Sequence, residues 1–146
     1  MPESNEDIQQ PELYVITDTD FLLRRFPVIN EPRFISFFKE IDGKKVPTSA
    51  AFKTKNGEDG LSVNIDALTA DINKFVQSWD SYKVARFSAS IPISNHYECR
   101  HNPNPPEDPD NPAHALIIGN TEKLAKKISK DCNVIEAPPT TKIDTL

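Results

Sequence analysis

Apolar and polar positions alternate from Gly60 to Ile65, where Ser62 and Asn64 separate Leu61, Val63 and Ile65. A period of two describes a half-buried strand. A second alternating stretch covers 84–94. Ala85, Phe87, Ala89, Ile91 and Ile93 point one way there, and Arg86, Ser88, Ser90 and Ser94 the other. It reads as the cleanest strand, and Pro92 places it at an edge or beside a strand end. Between the two, Leu68, Ile72, Phe75, Val76 and Trp79 recur at helical spacing and predict a helix capped by Asp66 or Thr69. Residues 113–119 are apolar on both faces, the pattern of a covered central strand. Leu124, Ile128 and Cys132 then form the seam of a lysine-rich helix, whose Glu122 start and basic end suit the helix dipole.

Weaker patterns fill the gaps. Residues 20–29 read as a short strand ended by Pro27. Residues 33–39 fit a helix through Phe34, Phe37 and Phe38 as well as a strand, with the strand preferred. Asp42-Gly43 marks a turn, and "NGEDG" is expected to join a strand over 48–55 to the one over 60–66. Residues 97–101 extend the pairing, and 133–136 close as a last strand. The stretch 102–112 carries five prolines and no periodicity, so it is a loop. This order predicts an α+β fold, a single domain with a mixed, mostly antiparallel sheet and two helices. Its ordered part is expected over 13–136. The ends, 1–12 and 137–146, carry few large apolar groups and read as tails.

Composition narrows the function. A chain of 146 residues has room for one core. Its net charge is −5, from 17 basic and 22 acidic residues, so nucleic acid is not an expected partner. The compact basic groups are Arg24-Arg25, Lys44-Lys45 and the lysines at 123, 126, 127 and 130, none interleaved with aromatics, though a local basic face remains open. Two cysteines are too few for a disulfide framework. No leader or apolar run of about 18 residues is visible, so no membrane contact and a cytoplasmic location with reduced thiols are expected. Four glycines make a phosphate-cradling loop improbable, and no cofactor is expected.

Candidate chemistry concentrates in a few places. His96, Cys99 and His101 are zinc-type ligands, but on a strand His96 faces away from the other two, so no metal site is expected. His114 stands where the proline loop enters the apolar segment. With a carboxylate such as Asp110 it could act as a general base; with Asp108, Asp110 or Asn111 as a plain hydrogen-bond partner it ties the loop to the sheet, the role preferred here. Arg24 and Arg25 point to opposite faces of an extended segment. One must turn inward, toward an internal carboxylate or an anionic ligand, with the internal salt bridge preferred. Ser62 is a hydroxyl that no pattern pairs with a histidine.

The segments "LLRRFP", "TSAAFK", "GLSVNID" and "NPAHALIIG", followed by a lysine-rich helix, resemble a family of small uncharacterised bacterial proteins with Leu-x-Arg-Arg, Leu-Ser-Val and Asn-Pro-Ala-His-Ala motifs. The match spans about residues 20–132, most of the ordered chain. The resemblance marks Arg24, Arg25, Ser62, Asn111, Pro112 and His114 as motif residues without assigning roles. The chain departs from the pattern in its long Pro-Asp insertion and its acidic start. The resulting expectation is a non-enzymatic module that binds a protein partner, through a stiff loop and the aromatics Phe34, Phe37 and Phe38. The resemblance points to an accessory subunit of a bacterial toxin–immunity or anti-phage defence locus. The alternative is a small hydrolase or nuclease, with His114 as base assisted by Asp110 or Arg25. Arg24, Asn111 and Ser62 are candidate binding residues under the first reading. Oligomeric state is left open.

Overall fold

The central strand of the sheet, β1 (Phe21–Pro27), buries Leu22, Leu23 and Phe26 and so is covered on both faces. The computed structural model describes residues 12–55, 57–119 and 121–136. Apart from Glu12, the expected tails lie outside that range. A hairpin of β2 (Phe38–Ile41) and β3 (Lys44–Pro47) stands apart as a two-stranded sheet, turning at Asp42-Gly43. The main sheet adds β4 (Gly60–Ile65), β5 (Tyr82–Ser88), β6 (Cys99–His101), β7 (His114–Ile118) and β8 (Asn133–Ile135). Its order is β6-β7-β4-β1-β5-β8, and every described pairing is antiparallel. Three helices complete an α+β domain: α1 (Ile72–Val76), α2 (Ser90–Ser94) and α3 (Glu122–Asp131).

One face of the sheet carries the main core. Leu22, Phe26, Leu61, Val63, Ile65, Phe87, Ala115 and Ile117 meet the buried stripe of α3, Leu124, Ala125 and Ile128. Fully burying a Leu or Ile stabilises by about 1.5–3 kcal/mol, so this stripe alone holds α3 in place. Phe52 comes from a single 3-10 turn (Ser49–Phe52) and packs edge-to-face on Phe87 at 5.9 Å. The buried Thr121 hydroxyl donates to Phe52 O at 2.6 Å and accepts from Thr54 N at 2.9 Å, locking that turn to the start of α3. The opposite face is covered over only half its width. There Leu23, Val84 and Val76 pack with Ile72, Phe75, Trp79, Tyr82 and Ile135. Over β4 and β7 that face carries Ser62, Asn64 and His114 beside the half-buried Leu116 and Ile118.

Strand pairing explains where a cavity can open. Seven residue pairs join β1 to β5 and five join β4 to β7, but only Leu22–Ile65 and Leu23–Asn64 join β1 to β4. Beyond Leu23 the two strands part.

Several expected elements take other forms. Residues 84–94 are a strand only as far as Ser88; the rest is α2. The Ser88 hydroxyl accepts from Ser90 N at 3.1 Å, a local side-chain bond that diverts the backbone from the ladder. The strand expected over 48–55 is the 3-10 turn, held by the Thr121 hydroxyl rather than by a hairpin partner. The helix expected from Leu68 to Trp79 is the five-residue α1 behind a separate 3-10 turn (Asp66–Leu68). Its cap is Asp71, whose carboxylate accepts from Asn73 N and Lys74 N. The 33–39 segment divides between a 3-10 turn (Ile35–Phe37) and the first residues of β2.

Candidate functional site

Where β1 and β4 separate, a broad cleft of about 1010 Å³ opens. Its walls come from β1, β4, α1 and the proline loop, and Arg24, Arg25, Ser62, Asp110, Asn111 and His114 all border it. Residues scattered over ninety positions of sequence thus converge on one concavity. Phe34 and Phe37 stand on its rim, both half-buried, so two of the three aromatics expected to be sticky face the same space.

The floor is a chain of amides and hydroxyls. Asn64, 2% exposed, lies on β4 directly across from His114 on β7. Its Nδ2 donates to Thr69 Oγ1 at 3.1 Å, and that hydroxyl donates to Ile65 O at 2.9 Å. Asn111 Nδ2 donates to Asn64 Oδ1 at 2.7 Å and to Asp108 Oδ2 at 2.8 Å, while Asn111 Oδ1 accepts from Ala113 N at 3.2 Å. A buried amide with its donors and acceptors met fixes both strand and loop. The Pro-rich segment is therefore tied to the sheet through Asn111.

His114 is 5% exposed. Its Nδ1 lies 3.1 Å from Asn102 O and 3.4 Å from the Asn102 side-chain amide. A carbonyl can only accept, so the shorter contact assigns the proton to Nδ1 and leaves Nε2 as a lone-pair acceptor. Nε2 has no hydrogen-bond partner among the described residues. The carboxylates expected as partners do not reach the ring: Asp108 is taken by Asn111, and Asp110 makes no side-chain hydrogen bond or ion pair there. Ser62 shares the face of His114 but is not hydrogen-bonded to it. Among the described residues no nucleophile, base and carboxylate line up.

Arg24 is the inward arginine, but its partners differ from those expected. Its Nε donates to Ala51 O and its Nη1 to Ser62 O, each at 2.8 Å. Because Ile65 N–H pairs with Ala113 O, alternate residues of β4 turn their carbonyls toward β1. The guanidinium takes one of these carbonyls where the ladder has stopped. Among the described residues Arg24 forms no ion pair, and the internal salt bridge is replaced by two backbone carbonyls. Burial pushes its pKa down to about 10, partly offset by the attraction of Glu58. Arg25, on the other face, lies 4.2 Å over the Tyr82 ring and donates weakly to Val76 O at 3.4 Å.

Val76 O also accepts from Ser78 N at 2.9 Å across Gln77, whose φ of 73° and ψ of −52° define a γ-turn. A non-glycine residue there is strained. Gln77 borders the cleft as well.

The remaining candidates disperse. His96 is exposed, Cys99 is half-buried, and His101 is held between Tyr14 N and Pro112 O. No group of metal-ligating side chains occurs among the described residues. All four lysines of α3 face solvent away from the cleft. No helix of the described chain is long and apolar enough to cross a membrane. Asn64, Thr69 and Asn102 are site residues that the motif reading passed over. Asn64 carried the signal of a polar residue in an otherwise apolar strand; Thr69 and Asn102 lie in the connections after a 3-10 turn and after β6, where no periodicity marks them. No family model, curated protein or solved structure matches this chain.

Proposed function

We propose that the chain is a non-enzymatic binding module whose cleft receives a segment of a partner protein. The observation that supports this is the convergence of Arg24, Arg25, Asn64, Asn111 and His114 on one concavity without an assembled catalytic set. Small-molecule sites commonly enclose about 300–1,000 Å³, so this cleft, at the top of that range, has room for an extended segment. The motif resemblance sets this module in a bacterial toxin–immunity or anti-phage locus, as an accessory subunit. Charge reversal at the mouth of the cleft tests the reading. Lys74→Glu, on an exposed α1 residue that borders the cleft, should abolish a stoichiometric complex formed in the native host, as weighed by light scattering. Lys130→Glu, on the far side, should leave that complex intact. Equal binding by both variants, or no complex with the wild type, ends the proposal.

One observation favours a second reading, a small hydrolase or nuclease: His114, whose Nε2 has no partner among the described residues, lines the cleft, as a general base would. Asp110 and Arg25 would assist as positioning groups. That reading requires a catalysed turnover that His114→Ala removes with little change in thermal midpoint.

A further inference from the structure

The walls of the cleft carry opposite charge. Arg25, Lys55 and Lys74 border it from β1, α1 and the segment between them, while the proline loop brings Glu107, Asp108 and Asp110. The three loop carboxylates are exposed, and no ion pair joins the two walls among the described residues. Asp108 commits Oδ2 to Asn111 and keeps Oδ1 open. Exposed carboxylates alone are screened by salt and select nothing. What sets this wall apart is the acceptor at its foot. His114 is 5% exposed, and its Nδ1–H goes to Asn102 O, so Nε2 keeps a lone pair with no partner among the described residues. The ring leaves β7 on the cleft face, and Nε2 lies on the ring edge farthest from the strand. Contacts run from it to the carboxylates: Asn64 sits directly across from His114 in the ladder, and Asn111 Nδ2 bridges Asn64 Oδ1 at 2.7 Å and Asp108 Oδ2 at 2.8 Å. Both amide hydrogens of Asn111 are thereby used. A buried acceptor left without a donor is costly, so the donor that completes this site is one the fold does not supply.

We infer that the foot of the proline loop is a subsite for a cationic N–H donor of the docked partner; this inference rests on the docking reading above. The shared chemistry is a positively charged nitrogen that still carries hydrogen. A lysine ammonium and an arginine guanidinium are its two sources. One N–H meets Nε2 of His114, and the charge lies against Asp108 and Asp110, which makes the bond charge-assisted. The Asn102 carbonyl already holds the ring and Asn111 already holds Asp108, so little side-chain freedom is lost when the cation arrives.

Imidazole-nitrogen and side-chain amide NMR spectra of the full chain provide the test, recorded at constant ionic strength and about pH 8, where an ordinary imidazole is neutral. Butylammonium and methylguanidinium chlorides serve as separate probes, and tetramethylammonium chloride as a cation with no N–H. The His114 Nε2 and Asn111 Nδ2 signals should shift saturably with butylammonium, with methylguanidinium or with both, and not with tetramethylammonium. Butylammonium alone identifies a lysine; methylguanidinium alone identifies an arginine. His114→Asn keeps a donor to Asn102 O but lacks Nε2. Read on the Asn111 amide, it should weaken the probe by at least about tenfold, the scale of one charge-assisted hydrogen bond. Asp110→Asn removes a charge that makes no bond in the fold and should weaken the probe about two- to fivefold. Absence of a saturable shift, an equal response to tetramethylammonium, or an unchanged affinity in either variant overturns the subsite. Partner capture separates the two ideas. A partner held equally by the wild type and His114→Asn, with no probe shift, overturns the subsite and leaves docking intact. A probe shift in a chain that never acquires a partner supports the subsite and overturns docking.

Discussion

Asn111 Nδ2 donates to Asn64 Oδ1 at 2.7 Å, joining the end of the proline loop to the inner strand β4 across 47 residues of sequence. Asn64 is almost fully buried, so this bond replaces water that cannot reach it. Asn111→Ala leaves that acceptor unpaired and should lower stability by about 1–3 kcal/mol in urea unfolding. Amides of 102–113 should exchange faster than in the wild type while those of α3 keep their protection. An unchanged unfolding midpoint would mean the loop is held elsewhere.

His114 can be dissected with two amides. Asparagine places its Nδ2 where the ring carries Nδ1, so His114→Asn keeps the bond to Asn102 O and removes Nε2. Glutamine does the reverse. The Asn variant should stay within about 1 kcal/mol of the wild type, and the Gln variant should fall below it by about 1–3 kcal/mol. A partner that binds the Asn variant normally shows that the ring's outer nitrogen is not needed. A Gln variant as stable as the wild type would remove the anchoring role assigned here.

Gly60 begins β4 against the Ile117 and Ile118 backbone of β7, and a Cβ there would collide with the Ile117 carbonyl. Backbone cannot move aside as a flexible side-chain end can. Gly60→Ala should therefore destabilise by more than about 3 kcal/mol or prevent folding, far beyond the effect of alanine at an ordinary strand position. Circular dichroism melts decide it, and a shift of only a degree or two would contradict the close approach.

The two thiols offer a test by pH. Burial pushes both Cys99 and Cys132 up to about 11, with the charges of Glu98 and Asp131 adding to the rise. Alkylation by iodoacetamide should reach half its limiting rate near pH 11, against about 9 in the unfolded chain. Between those values the native state keeps protons that the unfolded state releases, so these groups make stability fall as pH rises through that window. A reactivity midpoint near pH 9 in the folded protein would show that the sulfurs are open to solvent.

Much of this arrangement was legible in the chain. Alternation at Leu61, Val63 and Ile65 located β4, two-sided apolarity located β7, and the Leu124–Ile128 seam located α3. Those patterns record burial, which a linear pattern expresses directly. The pattern at 84–94 misled because Ser90–Ser94 can alternate along a strand or bond locally, and a hydroxyl two residues away decided between them. Asn64 was read as the solvent-facing side of its strand. Its burial depends on the proline loop folding over it, a long-range event with no local periodicity. One of Arg24 and Arg25 was expected to turn inward; Arg24 is the one that does, but its partners follow from the parting of β1 and β4, which no spacing announces.

That parting also bears on how the molecule comes apart. β1 with β5 and β8 makes one half-sheet, β4 with β7 and β6 the other, and two residue pairs with one arginine connect them. Few hydrogen bonds cross between the halves, although both pack on the same α3 core, so the sheet should open as two units in place of one. Native-state exchange should then show two tiers of slow amides, divided between Leu23 and Ser62. The tier containing β4 and β7 would open first, taking the cleft with it and leaving the β1–β5 pair as the last structure standing.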